Sequence, residues 1–364
     1  VKKICIIAGD GIGPEVMSAC LRVLDALDLE LEYIYADAGL TCYRGQGTYL
    51  PETTIAAIKA SDACLFGAVT SPITAATTTS DDIESYTPVI PTLRKKLDLY
   101  VNLRPFDSRY GYRYSPIQQK AEPLDIVLVR ENLEGLYTGV EYETGNGSAV
   151  ITERKISRRA CERICRYAFE YAWTHGRSRI SCIHKANVLR KSDGLFKQVF
   201  YELAHMYSGR SRKSPESATI SRKLIADDYY VDRTAMELIL HPEKFDVIVT
   251  LNLYGDILSD LLAALIGGLG FAPSANLGDT HAIFEPVHGS APDIAGKGVA
   301  NPTGMILAGA MMLSYIGYDI MAEIIKQALA SLFVRGVYTH DVGGNYSTTA
   351  FTEEIVRELR KKTL

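Results

Sequence analysis

The chain has 364 residues, 47% of them hydrophobic and 23% charged, with 39 basic side chains against 43 acidic ones. A chain of this length holds two domains, or one large α/β unit with an insertion, and either can bury a large core. A net charge of −4 with both signs interspersed leaves no excess of Lys and Arg to neutralise a phosphate backbone, which argues against nucleic-acid and membrane-surface binding and toward small-molecule chemistry.

The opening V-K-K-I-C-I-I-A-G-D sets two lysines before an apolar run too short for the core of a signal peptide. It reads as a first β-strand over Lys3–Ala8. Further strands are expected at Ala63–Ala68, Asp125–Val129, Arg179–His184 and Asp246–Thr250, alternating with amphipathic helices at Glu15–Leu27, Thr53–Ala60, Ser157–Thr174, Gly194–Met206 and Asp232–Leu240. That alternation is the α/β signature. The segments after Pro72 and around residue 215 read as exposed loops, the second a solvated basic insertion rather than an anion site. The longest apolar-rich stretch, Met305–Tyr318, falls short of the roughly 18 residues needed to span a bilayer and reads as a buried helix. Cysteines at 5, 20, 42, 64, 161, 165 and 182 form an odd set within apolar patterns, which suits a reducing, cytoplasmic compartment. Cys161 and Cys165 stand at i, i+4, where a metal is conceivable but helix packing is the better reading.

The segment Gly9-Asp10-Gly11-Ile12-Gly13-Pro14-Glu15 superficially suggests a dinucleotide fingerprint, but Pro14 occupies the third glycine position and suits the first turn of a helix instead. Gly296-Lys297-Gly298 lacks the Ser/Thr and the spacing of a P-loop. A nucleotide site, if present, must be built otherwise.

In F-D-V-I-V-T-L-N-L-Y-G-D-I-L-S-D, a buried strand runs through Asn252 into a helix on which Asp256 and Asp260 share one face, about 40° apart. Ile257, Leu258, Leu261, Leu262 and Leu265 are expected on the opposite side. Like charges at this spacing repel unless a cation lies between them, and hard oxygen donors suit Mg²⁺ or Mn²⁺; Asp256 could instead complement the helix N-terminus. Asp232, at the start of another helix, is a third candidate ligand. Arg94, Arg104 and Arg130 stand near turns. Each alone is an ordinary ion-pair partner, but as a set they suggest bidentate recognition of carboxylates. Lys185 and Tyr137 are proton-transfer candidates. Residues 284–302 (F-E-P-V-H-G-S-A-P-D-I-A-G-K-G-V-A-N-P) form a glycine-rich run whose backbone N–H groups can approach a ligand closely. Within it Asp293 could accept from a ribose diol and so select NAD over NADP, the plainer alternative being an elaborate surface turn.

Together, G-D-G-I-G-P-E, L-R-K-K-L-D-L-Y-V-N-L-R-P, V-R-E-N-L-E-G-L-Y, H-K-A-N-V-L-R, N-L-Y-G-D-I-L-S-D and H-G-S-A-P-D-I-A-G-K-G-V-A-N-P-T-G resemble, in order and over nearly the whole chain, the β-decarboxylating 2-hydroxy-acid dehydrogenases, the isocitrate/isopropylmalate dehydrogenase family. The resemblance implies that family's two-domain α/β fold, not a Rossmann fold, with a large cofactor-binding domain from 1–98 and 252–364 and a small central domain, 99–251, carrying the dimer interface. It implies Arg94, Arg104 and Arg130 on the substrate carboxylates, Asp232, Asp256 and Asp260 on Mg²⁺ or Mn²⁺, and Lys185 and Tyr137 as the proton-transfer pair. NAD is implied at Asn252, Glu285, His288, Gly289, Ser290, Ala291, Asp293, Ile294, Asn301 and Asp341. Lys185 and Asp232 would reach the site from a partner subunit, which makes the active form a homodimer or a tetramer. The implied chemistry removes a hydride from C2 to NAD⁺ while Lys185 takes the hydroxyl proton. The β-carboxylate then leaves as CO₂ and Tyr137 protonates C3.

Substrate identity in the resembled family depends on the segment before Arg94. Pro88 and Ile90 stand where isocitrate users carry serine and asparagine, which disfavours isocitrate. Thr87 and Ile90 are expected at the substrate, and Val89, Ile90 and Pro91 offer apolar surface for an isopropyl group, so 3-isopropylmalate is the first expectation. Thr70-Ser71-Pro72 and the Tyr86-x-Pro88 spacing resemble homoisocitrate dehydrogenases, which gives the alternative. Leu251 and His340 depart from the usual pattern without removing a catalytic group. A catalytically inactive regulatory subunit is the reading from outside the class, and it sits poorly with a complete set of Asp, Arg, Lys and Tyr.

Overall fold

The computed structural model describes residues 1–70, 88–110, 124–208 and 224–363. Thr87, Tyr86 and nearly all of the two expected surface loops lie outside the described residues. The chain divides into two compact units, one formed by Val1–Leu99, Asp107–Pro123 and Ala263–Leu364, the other by Tyr100–Phe106 and Leu124–Leu262.

In the first unit, strands β1 (Lys2–Gly9), β2 (Leu31–Tyr35), β3 (Ala63–Ala68), β11 (Pro273–Leu277) and β12 (Ala282–Pro286) lie in the order β2-β1-β3-β12-β11. All adjacent pairs are parallel except β11 with β12. Ile4, Cys5, Ile6 and Ile7 are buried in succession, as expected of a parallel strand covered on both faces. The helix after β1 spans Gly13–Asp25 with Pro14 in its first turn. The expected apolar helix runs Thr303–Tyr315 and is buried almost all round.

In the second unit, β4 (Val101–Asp107), β5 (Asp125–Glu131), β8 (Arg179–His184), β9 (Ile225–Tyr230) and β10 (Val247–Thr250) lie in the order β4-β5-β10-β8-β9. The last four are mutually parallel, with Arg130 opposite Thr250, Thr250 opposite Ile183, and His184 opposite Tyr230. This register brings the ends of four strands to one edge of the sheet. Arg130 is the penultimate residue of β5, Lys185 follows β8, Asp232 follows β9, and Asn252 opens the helix after β10. The carboxyl edge of a parallel sheet is where ligands bind in open α/β folds. The remaining strands, β6 (Glu141–Thr144) and β7 (Ala149–Thr152), form a separate antiparallel hairpin exposed along its whole length. All seven cysteines are free and buried, Cys161 and Cys165 inside the helix Arg158–Thr174 capped by Ser157, as helix packing requires.

Candidate active site

Arg130 is the centre of the second unit's site. It is 1% exposed, and each of its three guanidinium nitrogens has a partner. Nε and Nη2 donate to Asn252 Oδ1 at 3.0 and 2.8 Å, and Nη1 is ion-paired with Asp256. Asn252 in turn donates to the Glu134 carbonyl at 3.0 Å. The Tyr137 hydroxyl donates to the other Asp256 oxygen at 2.5 Å, and its ring lies 5.2 Å from the Arg130 guanidinium carbon. Arg104, on β4, donates to Asn102 Oδ1 and to Ser259 Oγ, both at 2.6 Å, and the Ser259 hydroxyl donates to the Asp256 carbonyl. Two arginines, one tyrosine and two aspartates expected from the sequence are thus gathered around the start of one helix, Asn252–Leu265.

The charges there are unequal. Burial works to raise the Asp256 carboxyl, but Arg130, the Tyr137 hydroxyl and Arg104 together hold it below the usual carboxylate range. Asp260 moves the other way. Burial first, and then the Asp256 charge, push it up against the pull of Arg104 and Arg130. Among the described residues no hydrogen-bond donor reaches the Asp260 carboxylate. A half-buried carboxylate with an exposed one beside it on the same helix face, the exposed member short of protein donors, is a donor set that a hard divalent cation satisfies. Burial, and then the hydrogen bond to Asp256, raise the Tyr137 phenol, so it stays protonated at neutral pH and available as an acid.

Lys185 and Asp232 meet each other, as an ion pair between the ends of β8 and β9. That contact lowers the Asp232 carboxyl. Among the described residues no three His, Cys, Asp or Glu side chains of one chain converge as a metal site, so Asp232 does not join Asp256 and Asp260 within the chain.

In the first unit, Arg94 lies buried in the last turn of the helix Val89–Lys96. Its Nε donates to Asn276 Oδ1 at 2.9 Å and its Nη2 approaches Glu285 at 3.5 Å, while Asn276 donates to Glu285 at 2.6 Å. A residue expected on substrate and one expected on cofactor are therefore ion-paired. Val89, expected to offer apolar surface to a substrate, is 1% exposed and sits in the core with Leu93 and Phe66; Ile90 is only partly buried against that core. Ile257, placed by periodicity among the buried leucines, is 59% exposed.

The loop between β12 and the helix at Thr303 contains no strand or helix, and it closes against the Gly9–Pro14 turn. Ile12 N–H donates to the Ser290 carbonyl at 2.8 Å, and the Thr70 hydroxyl donates to Ser290 Oγ at 2.8 Å. A Cβ on Gly11 would stand 1.9 Å from that same Ser290 carbonyl oxygen, which leaves room for glycine alone. Asp10 completes the turn by accepting from the backbone N–H groups of Leu40, Thr41 and Thr70. The G-D-G motif thus serves as the seat of the loop. At the far end of the loop Asn301 donates to Asp341 at 3.0 Å, joining two residues expected at the cofactor. His288 Nδ1 donates to the Gly289 carbonyl, 2.9 Å away, while its Nε2 is buried without a hydrogen-bond partner among the described residues. Burial lowers the imidazole below its ordinary range. An orphaned ring nitrogen in the same glycine-rich loop as exposed Asp293 fits a polar nucleotide.

Several working residues carry no signal of their own in the sequence. Asn102 and Ser259 hold Arg104, while Gly255 lets Arg130 pass beside Asn252, a residue expected at the cofactor that also holds this arginine. A Cβ at 255 would lie 2.5 Å from Arg130 Cγ and 2.7 Å from its Cβ. Gly→Ala inside a helix ordinarily stabilises by about 0.5–1 kcal/mol. Here overpacking, about 1–3 kcal/mol, works against that gain. Gly255→Ala is expected to lower both the denaturation midpoint and kcat/KM, the latter about tenfold. An unchanged midpoint and rate would show that the Arg130 stem has room to move.

The isocitrate/isopropylmalate dehydrogenase family model matches residues 3–358. The chain is 48% identical to a homoisocitrate dehydrogenase of Methanocaldococcus jannaschii, over 99% of this chain and 98% of that one. It is 46% identical to a 3-isopropylmalate dehydrogenase of Methanothermobacter thermautotrophicus, over 98% of each. Among solved structures, the isocitrate dehydrogenase of Methylococcus capsulatus matches with a TM-score of 0.87 at 38% identity, covering 99% of this chain and 100% of that one.

Proposed function

Because the chain belongs to the isocitrate/isopropylmalate dehydrogenase family and is a β-decarboxylating dehydrogenase of malate-type hydroxy acids, we propose that it oxidises a 3-substituted malate with NAD and Mg²⁺ or Mn²⁺. The observation that carries this reading is Arg130, buried and held by Asn252 and Asp256 beside the Tyr137 hydroxyl. A buried guanidinium that is fixed in place presents a planar fork to a carboxylate at no ordering cost.

On this reading Arg104 and Arg130, with Arg94, hold the substrate carboxylates. Asp256 and Asp260 hold the metal together with Asp232 of a second copy. Lys185 of that second copy removes the proton from the 2-hydroxyl, and Tyr137 delivers a proton to C3 after the β-carboxylate has left. When bound, NAD⁺ supplies the hydride acceptor and the divalent cation supplies Lewis-acid stabilisation of negative charge. The loop with Glu285, His288, Gly289, Ser290, Ala291, Asp293, Ile294 and Asn301, with Asp341 beside it and Asn252 toward the nicotinamide, is assigned to the dinucleotide. The exposed carboxylate of Asp293 opposes a 2′-phosphate and so favours NAD over NADP.

A homodimer is supported by the second unit's surface. The helix Val231–Leu240, which begins beside Asp232, exposes Met236, Ile239 and Leu240, and Ile257 next to Asp256 is exposed as well. The hairpin adds Tyr142, Val150 and Ile151. Apolar surface on this scale marks an interaction face, and a second copy covering it supplies the Lys185 and Asp232 that one chain keeps apart from its own Asp260. The buried free cysteines fit a reducing cytoplasm, and no helix among the described residues is long and apolar enough to cross a membrane.

For the 3-substituent, 3-isopropylmalate is favoured by Ile90 and Pro91, which keep part of their apolar surface outside the core. Homoisocitrate is the second reading. It is favoured by the Methanocaldococcus relative and by the burial of Val89, which removes one apolar wall. The test is initial-rate NADH and NADPH formation on 3-isopropylmalate, homoisocitrate and isocitrate side by side, with Mg²⁺ and with chelator. A rate with NAD that chelator abolishes is expected on one of the first two. A rate indifferent to chelator would remove the metal assignment, and no rate on any of the three would favour the regulatory-subunit reading.

A further inference from the structure

We infer that Asp193 is a positioning residue, whose buried carboxylate fixes the backbone from which Lys185 projects and ties it, through Tyr254, to the helix that carries Asp256 and Asp260. This deepens the functional reading above and rests on it. Asp193 opens the helix Ser192–Ser208 and is completely buried. One carboxylate oxygen accepts the Lys185 backbone N–H at 2.7 Å and the Tyr254 hydroxyl at 3.0 Å. The other is ion-paired with Arg154, and the Ser192 hydroxyl lies 3.5 Å from it. The Arg154 guanidinium carbon lies 5.3 Å from the centre of the Tyr254 ring, which closes the arrangement.

A buried carboxylate persists only where its lone pairs are filled, and this one is filled by groups from three other stretches of chain, around Arg154, Lys185 and Tyr254. Two of those stretches carry proposed chemistry. Lys185 stands one residue past the end of β8; Asp193 holds its N–H, and the Val188 and Leu189 N–H groups hold its carbonyl, so the bond to Asp193 is, among the described residues, the one side-chain anchor on the peptide that sets the direction of its Cα–Cβ bond. The next peptide is held as well, because Ala186 N–H donates to His184 Nδ1 at 3.0 Å. On the other side, Tyr254 lies in the first turn of the Asn252–Leu265 helix, two residues before Asp256. With Lys185 serving a second copy's site and Asp256 its own, Asp193 joins two active sites within one chain.

The test uses the full-length protein carrying Tyr254→Phe, Asp193→Asn or Lys185→Met, assayed on whichever substrate it turns over. Asp193→Asn also removes the counter-charge of Arg154, so Tyr254→Phe, which deletes one hydroxyl and keeps the ring under Arg154, is the decisive variant. Tyr254→Phe is expected to lower kcat about three- to tenfold, to leave the KM for NAD unchanged and to raise the solvent deuterium isotope effect on kcat, since proton removal by a misplaced amine becomes slower than hydride transfer. Asp193→Asn, if it folds, is expected to show the same pattern more strongly. Wild-type kcat in Tyr254→Phe would overturn the inference, as would a loss of rate with an unchanged isotope effect, which is what a merely structural bond gives. The two failures separate cleanly. An active Lys185→Met overturns the functional reading along with the inference, whereas an inactive Lys185→Met beside a fully active Tyr254→Phe overturns only the role of Asp193.

Discussion

Lys185→Met is expected to lower kcat by about 10²–10⁴-fold, the range that a positioned general base contributes, while NAD binding measured by fluorescence stays unchanged. Methionine keeps the length and apolar stem of the side chain and loses only the amine that donates to Asp232. Tyr137→Phe is expected to lose rate on a similar scale by a different route. Phenylalanine keeps the ring beside Arg130 and loses the hydroxyl that donates to Asp256. On the proposed order of steps the first hydride transfer precedes any need for that hydroxyl. A rapid-mixing experiment should therefore show a burst of NADH in Tyr137→Phe followed by slow turnover, and no burst in Lys185→Met. A burst in both, or in neither, would reassign the two proton transfers; full steady-state activity in either variant would remove that residue from the chemistry.

The parts of this site legible in the sequence are those set by local periodicity. The Asp256–Asp260 spacing, the strand leading to Arg130 and the strand leading to Lys185 are all local, and the strand–helix alternation gives the α/β class with them. What escaped is pairing across long separations. Arg94 finds Asn276 and Glu285 from 182 and 191 residues away, and Arg104 finds Ser259 from 155. Strand β9, I-A-D-D-Y-Y, holds two aspartates that disfavour a strand by propensity. It forms because Arg179 neutralises Asp227 and the Ser181 hydroxyl donates to it, while His184, Lys197 and Tyr201 satisfy Asp228. β11, P-S-A-N-L, is equally quiet, and its Asn276 is occupied with Arg94 and Glu285. Val89 and Ile90 show the opposite failure. An apolar pair in a short helix reads alike whether it faces a ligand or the core, and here the core takes Val89.

Arg130→Lys is expected to cost as much in kcat/KM as the loss of a general acid, although the charge is conserved. The native fork reaches Asn252 through Nε and Nη2 and Asp256 through Nη1, at 1% exposure. A lysine ammonium on a stem one bond shorter meets one of these partners and abandons the other. If it keeps Asp256, the buried Asn252 oxygen loses both donors, at about 1–3 kcal/mol for an unsatisfied acceptor. The charge-assisted bond to the substrate carboxylate that the shorter side chain no longer makes is worth about 1.5–3 kcal/mol. Felt in full at the transition state, the two together correspond to a rate loss of about 10²–10⁴-fold. The denaturation midpoint should fall as well, because Asn252 also anchors the Glu134 carbonyl and with it the turn that leads to Tyr137. The discriminating measurement is the split between kcat and KM. A residue that only holds the fold would lower the midpoint and leave the KM of the surviving enzyme for substrate alone, whereas a carboxylate clamp raises that KM and lowers kcat together, with the KM for NAD unmoved. Substrate kinetics within threefold of wild type in Arg130→Lys would mean that the carboxylate is held elsewhere.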